Sequence, residues 1–350
     1  MPVIAETTPV LPQHRFDEAS LDRYLRGVIP GYCGDLKVRQ FTSGQSNPTF
    51  VLFADVDGAE QAFVMRKKPP GKLLPSAHQV DREFKAISAL QGSGVPVPKT
   101  YALCTDDSVI GQMFYVMECV EGRIITNPTI PNATPAERAA IYDSMNATMA
   151  KLHMVDYAAV GLSDFGRQGQ YIARQIDRWS KQYMASKTDE LKAMNDLMAW
   201  LPKHIPAYDP TTIVHGDFRL GNCIVHRTEP RIVAVLDWEL CTLGHPLSDL
   251  AYNCLGYYLT EPPHGFAKID VKSLGLPSEQ DYVAAYCKRT GRQGIEDWTF
   301  YVAFSLFRLA AIAQGVYKRG LDGIAASPEA LKRGQSARIM SEIGWNLVSR

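Results

Sequence analysis

Charge of one sign is what this 350-residue sequence most clearly lacks: 37 Lys and Arg stand against 37 Asp and Glu, and the pI is near 7.1. Nucleic acids and anionic membranes draw net basic surfaces, so neither is expected as a partner. The seven cysteines are odd in number, scattered from Cys33 to Cys287, and never form a C-x-x-C pair. That pattern excludes a zinc site and a disulfide framework and predicts reduced thiols in a cytoplasmic protein. No basic segment leads into an apolar run near Met1, so no signal peptide is expected. Pro2, Pro9 and Pro12 instead predict a loose tail over residues 1–13. Long hydrophobic runs are missing too. The longest, Tyr301 to Ala313, carries Ser305 and Arg308, is too short to span a bilayer and reads as a buried helix. Common nucleotide and hydrolase signatures do not occur. Gly71-Lys72 is followed by Leu73, which breaks a Walker A motif, and H-E-x-x-H, G-x-S-x-G and G-x-G-x-x-G are absent.

What is present is enough apolar material, 46% of residues, for a sizeable core in one large domain or two moderate ones. Asp17 can cap a helix whose apolar face is Leu21, Tyr24, Leu25 and Val28. Three strand-like runs follow, Leu36–Thr42, Thr49–Val56 and Gln61–Lys67, with Asp57-Gly58 as the turn between the last two. A helix from about His78 to Gln91 and two further strands, Lys99–Cys104 and Gln112–Cys119, complete the pattern. It predicts a five-stranded antiparallel sheet with one helix inserted after its third strand. Beyond Gly122 the helical period takes over. Thr134-Pro135-Ala136-Glu137 is a capping box with proline at the first helical position, and Ile141, Met145, Met149 and Leu152 form one apolar stripe. Further helical patterns cover about 167–186, 188–203, 246–260, 278–290, 295–319 and 328–348. Only Ile213–His215, Cys223–His226 and Ile232–Leu236 read as strands there. The expected class is α+β, with a small sheet-rich lobe over residues 1–119 and a mainly helical lobe over 120–350 that holds one small β-hairpin.

The residues that carry chemistry cluster in His215-Gly216-Asp217-Phe218-Arg219-Leu220-Gly221-Asn222. Fifteen positions after Asn222, the run Ile232–Leu236 delivers Asp237-Trp238-Glu239 to a strand end. Phosphoryl transfer needs a base near the acceptor hydroxyl and oxygen ligands that fix magnesium on the phosphates. Magnesium takes hard oxygen donors, and one or two side chains suffice beside phosphate and water. Asp217, Asn222 and Asp237 supply a base, a carbonyl ligand and a carboxylate ligand in that order. Asp217 and Asn222 are also turn formers, but their coupling to the hairpin and to Asp237 favours chemistry.

These residues, with Val235-Leu236-Asp237-Trp238-Glu239, resemble the aminoglycoside phosphotransferase and choline kinase superfamily. More distantly they resemble protein kinases, which carry Asp-Phe-Gly where this chain has Asp-Trp-Glu. The resemblance is specific from about residue 40 to 255. It implies a bilobal protein-kinase-like fold, with ATP and Mg2+ as cofactors and a small-molecule acceptor. Under it Asp217 is the catalytic base, Asn222 and Asp237 are magnesium ligands, and His215 braces the loop. Asp249 hydrogen-bonds that loop from a helix start, although a plain first-turn acid accounts for it equally well. Ser43, Gly44, Gln45, Ser46 and Asn47 form the turn over the ATP phosphates. Arg66 stands where the family places a phosphate-binding lysine, with Lys67 on the opposite strand face as the alternative and Glu83 as the acid that pairs with this cation. The backbone of Glu118 and Val120 falls at the hinge that binds adenine.

For the acceptor, Tyr171, Arg174, Arg178 and Trp179 on one helix and Trp298, Tyr301, Arg308 and Tyr317 on another are the candidates. Arg174 and Arg178, four apart, suit an anionic acceptor or a solvated face. Mixed charge in the helical lobe argues against a polycationic aminoglycoside. Ser43 to Thr49, Arg66 to Leu74 and Trp238-Glu239-Leu240 with Gly244-His245-Pro246 resemble more narrowly the kinase-like domain fused to, or encoded beside, acyl-CoA dehydrogenases. That branch implies a 4-hydroxyacyl-CoA acceptor and a functional partner of the acyl-CoA dehydrogenase class, here expected as a separate protein. An aminoglycoside, choline or homoserine kinase and a catalytically silent nucleotide-binding scaffold are the competing expectations. The absence of Ala-Pro-Glu and of a long segment between Asp237 and Asp249 speaks against peptide substrates. The sequence sets no oligomeric state.

Overall fold

The computed structural model describes residues 6–42, 47–69, 79–260, 265–324 and 328–349. Contacts divide the chain into two compact units, Met1–Ile124 with Asn222–Cys241, and Ile125–Gly221 with Thr242–Arg350.

The first unit is built on an antiparallel sheet in the order Thr7–Thr8, Tyr32–Phe41, Thr49–Val56, Ala59–Lys67, Phe114–Glu118 and Thr100–Cys104. The hairpin between its third and fourth strands turns at Asp57 and Gly58, with φ of 52° and 81°. Two left-handed residues match the twist of the flanking strands, and Asp-Gly adopts them at little cost. The sheet has six strands rather than five. Thr7 and Thr8, expected in the tail, pair with Phe41 and Gln40. A two-residue strand carries no period of its own, so nothing local announced it. Asp17 caps the helix Glu18–Val28 by accepting the Ser20 N–H at 3.0 Å. Leu21 and Leu25 from that helix pack on Phe50, Leu52, Phe63, Met65, Phe114 and Val116 of the sheet. On the other side of the fourth strand runs the helix Val80–Leu90, which buries Glu83 among Val80, Ala86, Ile87 and Leu90.

The short hairpin Cys223–Val225 and Ile232–Val235 was expected among the helices but groups with this sheet unit. Arg123–Ile124 adds a third strand to it through Val225 and Ile224, and the Val235 N–H donates to Pro96 O at 2.9 Å. Gly122 makes that approach feasible. A Cβ there would sit 2.2 Å from Ile224 Cγ2 and 2.4 Å from Val225 O.

The second unit is mainly helical: Pro135–Met154, Tyr171–Ser186, Lys192–Trp200, Pro246–Asn253, Glu279–Thr290, Trp298–Leu321 and Arg333–Val348. Thr134 caps the first of these, and Ile141, Met145, Met149 and Leu152 are its buried stripe. Ser278 and the left-handed Gly291 bracket Glu279–Thr290. The expected helix 246–260 is α-helical only to Asn253 and tightens into a 3-10 turn over Cys254–Tyr257. One two-stranded ladder, Thr212–Val214 with Thr242–Gly244, is embedded here.

Among the described residues one helix, Trp298–Leu321, is long and apolar enough to cross a membrane by length and composition, with a mean hydropathy of 1.4. It is longer than the Tyr301–Ala313 run suggested. Its apolar window is 72% buried, packed on Tyr171–Ser186, Pro246–Asn253 and Arg333–Val348. Core burial accounts for its composition.

Candidate active site

In the first unit, strand alternation separates Arg66 from Lys67. The Lys67 ammonium lies 5.1 Å from the Phe16 ring centroid and 5.7 Å from that of Phe50, and burial there lowers its pKa. Arg66 points the other way. Its Nη1 donates to Glu83 Oε1 at 2.5 Å and to Asp237 Oδ1 at 3.1 Å, and its Nη2 reaches the same Asp237 oxygen at 3.2 Å. Burial works against the Arg66 charge, but Glu83, Asp237 and Glu239 together raise its pKa above the usual range. Glu83 is fully buried, and burial pushes its carboxyl up to about 7 against the pull of Arg66. Tyr115 Oη donates to Glu83 Oε2 at 3.4 Å. One cation is thus held between a helix carboxylate and a strand-end carboxylate, so its direction is fixed before any ligand arrives.

Asp237 sits at φ 66° as the chain leaves the strand Ile232–Val235. Trp238 holds that bend: its indole is buried and its Nε1–H donates to Val235 O at 2.9 Å. Cys223 pairs with Val235, and the Leu236 N–H donates to Asn222 O at 2.8 Å. Asn222 and Asp237 therefore occupy one end of the same hairpin. An amide and a carboxylate at one strand end are the hard-oxygen pair that magnesium takes beside phosphate and water. Among the described residues no group of three His, Cys, Asp or Glu is arranged for a transition metal.

Of the expected nucleotide contacts, Ser43, Gly44, Gln45 and Ser46 lie outside the described residues. Asn47 is buried, and its main-chain oxygen accepts from Thr49 Oγ1 at 3.0 Å. Glu118 ends its strand with its N–H donating to Lys99 O at 2.7 Å, and Val120 lies two residues beyond.

In the second unit, the strand Thr212–Val214 runs into the His215-Gly216-Asp217 loop. Asp249, at the start of Pro246–Asn253, accepts the His215 N–H at 2.6 Å and the Gly216 N–H at 2.9 Å. His153 Nε2 lies 3.4 Å from the same carboxylate. Burial alone would raise the Asp249 pKa, but His153, His215 and the Gly216 N–H together lower it. His215 is fully buried, and its Nδ1 accepts the Asp217 N–H at 3.2 Å.

The Asp217 carboxylate is partly exposed. Tyr252 Oη donates to its Oδ1 at 2.5 Å and Arg219 Nε to its Oδ2 at 3.2 Å. Arg308 Nη2 donates to Gly216 O at 2.7 Å, and Asn253 Nδ2 to Phe218 O at 3.1 Å.

Tyr252 and Asn253 were missed from the sequence. Both lie three to four positions after Asp249 on one helix, a spacing that puts them on the face already assigned to this loop.

The acceptor candidates separate. Tyr171 and Tyr301 are core residues, and Trp298 Nε1 donates to Glu279 Oε1 at 2.9 Å. Arg174 is held by the carbonyls of Gly169 and Arg167. The Arg178 guanidinium rests over Trp179 at 5.3 Å. Arg308 and Trp179 stay next to the loop that carries Asp217.

A sequence model of the phosphotransferase enzyme family matches residues 37–286. A candidate aminoglycoside phosphotransferase from Ralstonia eutropha JMP134, known as a crystal structure, is 49% identical over 96% of this chain and 99% of its own, with a TM-score of 0.88. Acyl-CoA dehydrogenase family member 11 from Rattus norvegicus is 45% identical over 358 aligned residues, which take in 100% of this chain and 45% of that protein. The chain spans less than half the length of that relative. Choline kinase from Cryptosporidium parvum Iowa II shares the fold at 14% identity, with a TM-score of 0.62 over 95% of this chain and 96% of its own.

Proposed function

This chain belongs to the phosphotransferase enzyme family, and we propose that it uses magnesium-ATP to phosphorylate the hydroxyl of a 4-hydroxyacyl-CoA or a related hydroxy acid. Asp217 takes the proton of the acceptor hydroxyl while the hydroxyl oxygen bonds to the γ-phosphorus and the bond to the ADP oxygen breaks. Asn222 and Asp237 hold magnesium, which when bound offsets negative charge on the transferring group and on ADP. Arg66, aimed by Glu83 and Asp237, donates to a nucleotide phosphate. The Ser43–Asn47 turn covers the phosphates, and the backbone of Glu118 and Val120 takes adenine. His215 and Asp249 keep the Asp217 loop in shape. Residues 1–119 serve the nucleotide and 120–350 the acceptor and the chemistry.

The observation that carries phosphoryl transfer is the Glu83–Arg66–Asp237 chain. It spends two carboxylates on orienting one buried guanidinium, next to a hairpin end that presents hard oxygens. The acceptor class rests on the acyl-CoA dehydrogenase name of the rat relative and on the motifs shared with that branch. We place the enzyme in the cytoplasm, working beside an acyl-CoA dehydrogenase.

The test is ADP release with magnesium-ATP across 4-hydroxyacyl-CoAs, free hydroxy acids, choline, homoserine and aminoglycosides, with Asp217→Ala as control. Release that depends on a 4-hydroxyacyl-CoA and disappears in the variant supports the reading. Release with another acceptor corrects the substrate. Magnesium-ATP binding without release for any acceptor favours the silent scaffold.

A further inference from the structure

Two arginines of the helical unit are almost equally buried, and they are treated very differently. Arg138, 7% exposed, donates from Nε, Nη1 and Nη2 to the carbonyls of Thr129, Ile130, Leu274 and Pro131. Arg308, 6% exposed, makes one hydrogen bond, to Gly216 O, and its Nε has no partner. Among the described residues no carboxylate forms an ion pair with it. Its guanidinium lies 5.8 Å from the Trp179 ring centroid and 5.5 Å from that of Tyr252. Ring faces offset part of the cost of burying a cation, and an oxygen acceptor is what such a group still lacks. The two things it does touch lead to Asp217: Gly216 precedes it in the chain, and Tyr252 Oη donates to its Oδ1.

We infer that Arg308 selects the acceptor: it donates to the carbonyl oxygen of an acyl compound whose hydroxyl is presented to Asp217, while Trp179 lines the acyl chain. This deepens the proposed function and rests on it. Trp179 and Tyr252 are only half-buried and the Asp217 carboxylate is partly exposed, so the group stands behind a wall that a ligand can reach. An acceptor without the carbonyl leaves the guanidinium unsatisfied. A site built to hydrogen-bond a substrate oxygen rejects the analogue that lacks it.

The experiment is a tryptophan-fluorescence titration of the full chain with 4-hydroxypentanoyl-CoA and with 4-hydroxypentyl-CoA, the thioether that lacks only the carbonyl. The wild-type chain should bind the thioester about 10- to 100-fold more tightly. Arg308→Gln should bind both ligands as weakly as the wild type binds the thioether. Equal weakening of both ligands would mark Arg308 as a brace for the loop, and a preserved preference would exclude it from the acceptor; either result overturns the inference. If melting shows that Arg308→Gln does not fold, Arg308→Lys is read by the same ratio, which must shrink because a point charge replaces a planar fork. A wild-type chain that binds both ligands alike, or neither, also overturns it. Acceptor-dependent ADP release, measured in parallel, reports separately on the kinase reading.

Discussion

Arg66→Met removes the cation from between two carboxylates while filling similar space. Glu83 is fully buried, and Arg66 is its charge partner at 2.5 Å. Stranding a buried carboxylate costs about 3–5 kcal/mol, a large part of a total stability of about 5–15 kcal/mol. Protonation offers Glu83 a way out. Burial already lifts it from 4.5 to about 7, with Arg66 pulling down, so loss of Arg66 lifts it further. A carboxyl raised in the folded state contributes stability that is fully present below pH 4.5 and is lost as pH rises through the folded value, about 7 in the native chain and higher in the variant. Arg66→Met should therefore unfold in urea nearly like wild type at pH 5 and lose about 3 kcal/mol more by pH 8. Tryptophan fluorescence follows the transition. Adding Glu83→Gln, which keeps an acceptor for Tyr115, should restore most of the loss and flatten its pH dependence. A penalty below about 1 kcal/mol at pH 8, or one that is equal at every pH in the single and double variants, would refute the reasoning. In kinetics the single variant should raise the KM for ATP far more than that for the acceptor. Equal effects on both would remove Arg66 from the phosphate site.

Asp217→Asn keeps groups for Tyr252 and Arg219 to meet but cannot take a proton. It should cut kcat about 100- to 10,000-fold with ATP binding unchanged by equilibrium titration, and near-normal turnover would exclude Asp217 as base. Asp237→Asn should raise the magnesium concentration for half-maximal ADP release by about tenfold or more; an unchanged magnesium titration would take Asp237 out of the metal site. Asp249→Asn leaves the two loop N–H groups a single, neutral acceptor. It should cost about 1–3 kcal/mol in thermal or urea unfolding together with activity. His245 is buried, with Nδ1 accepting the Leu247 N–H and Nε2 meeting Tyr208 O, and burial lowers its pKa from 6.5 to about 4. The unfolded chain then binds the extra proton, so stability is full above pH 6.5 and falls by about 3 kcal/mol as pH drops towards 4. His245→Asn, which can still cap the helix, should flatten that slope in melts between pH 7.5 and 4.5.

Features with a local signal were legible in the sequence. Asp57-Gly58, the Thr134 and Ser278 caps and Gly291 each satisfy a backbone requirement within a few residues, and strand alternation already set Arg66 and Lys67 on opposite faces. The elements that went unread depend on distant partners. Thr7–Thr8, Arg123–Ile124 and Thr242–Gly244 are two or three residues long and exist as strands because Phe41, Ile224 and Val214 stand opposite them. The same holds within the candidate site. Asp217 stood out by its spacing to Asn222, whereas the Tyr252 hydroxyl meets it from 35 positions away. Arg174 and Arg178 drew attention by helical spacing, and only the folded chain shows Arg174 held by loop carbonyls.

The chain leaves the sheet unit after Ile124, returns at Asn222 and leaves again after Cys241. No single breakpoint in the gene can therefore hand on either unit whole. A crossover anywhere between the codons of Ile124 and Cys241 would splice the Asn222–Asp237 hairpin from one parent onto a sheet or a helical bundle from another. The proposed metal ligands travel with Asp217 in one stretch of 21 residues, from 217 to 237, while Arg66 and Glu83 must be supplied separately. Diversification of such a protein is expected by substitution on the helices around Arg308 and Trp179 rather than by exchange of modules.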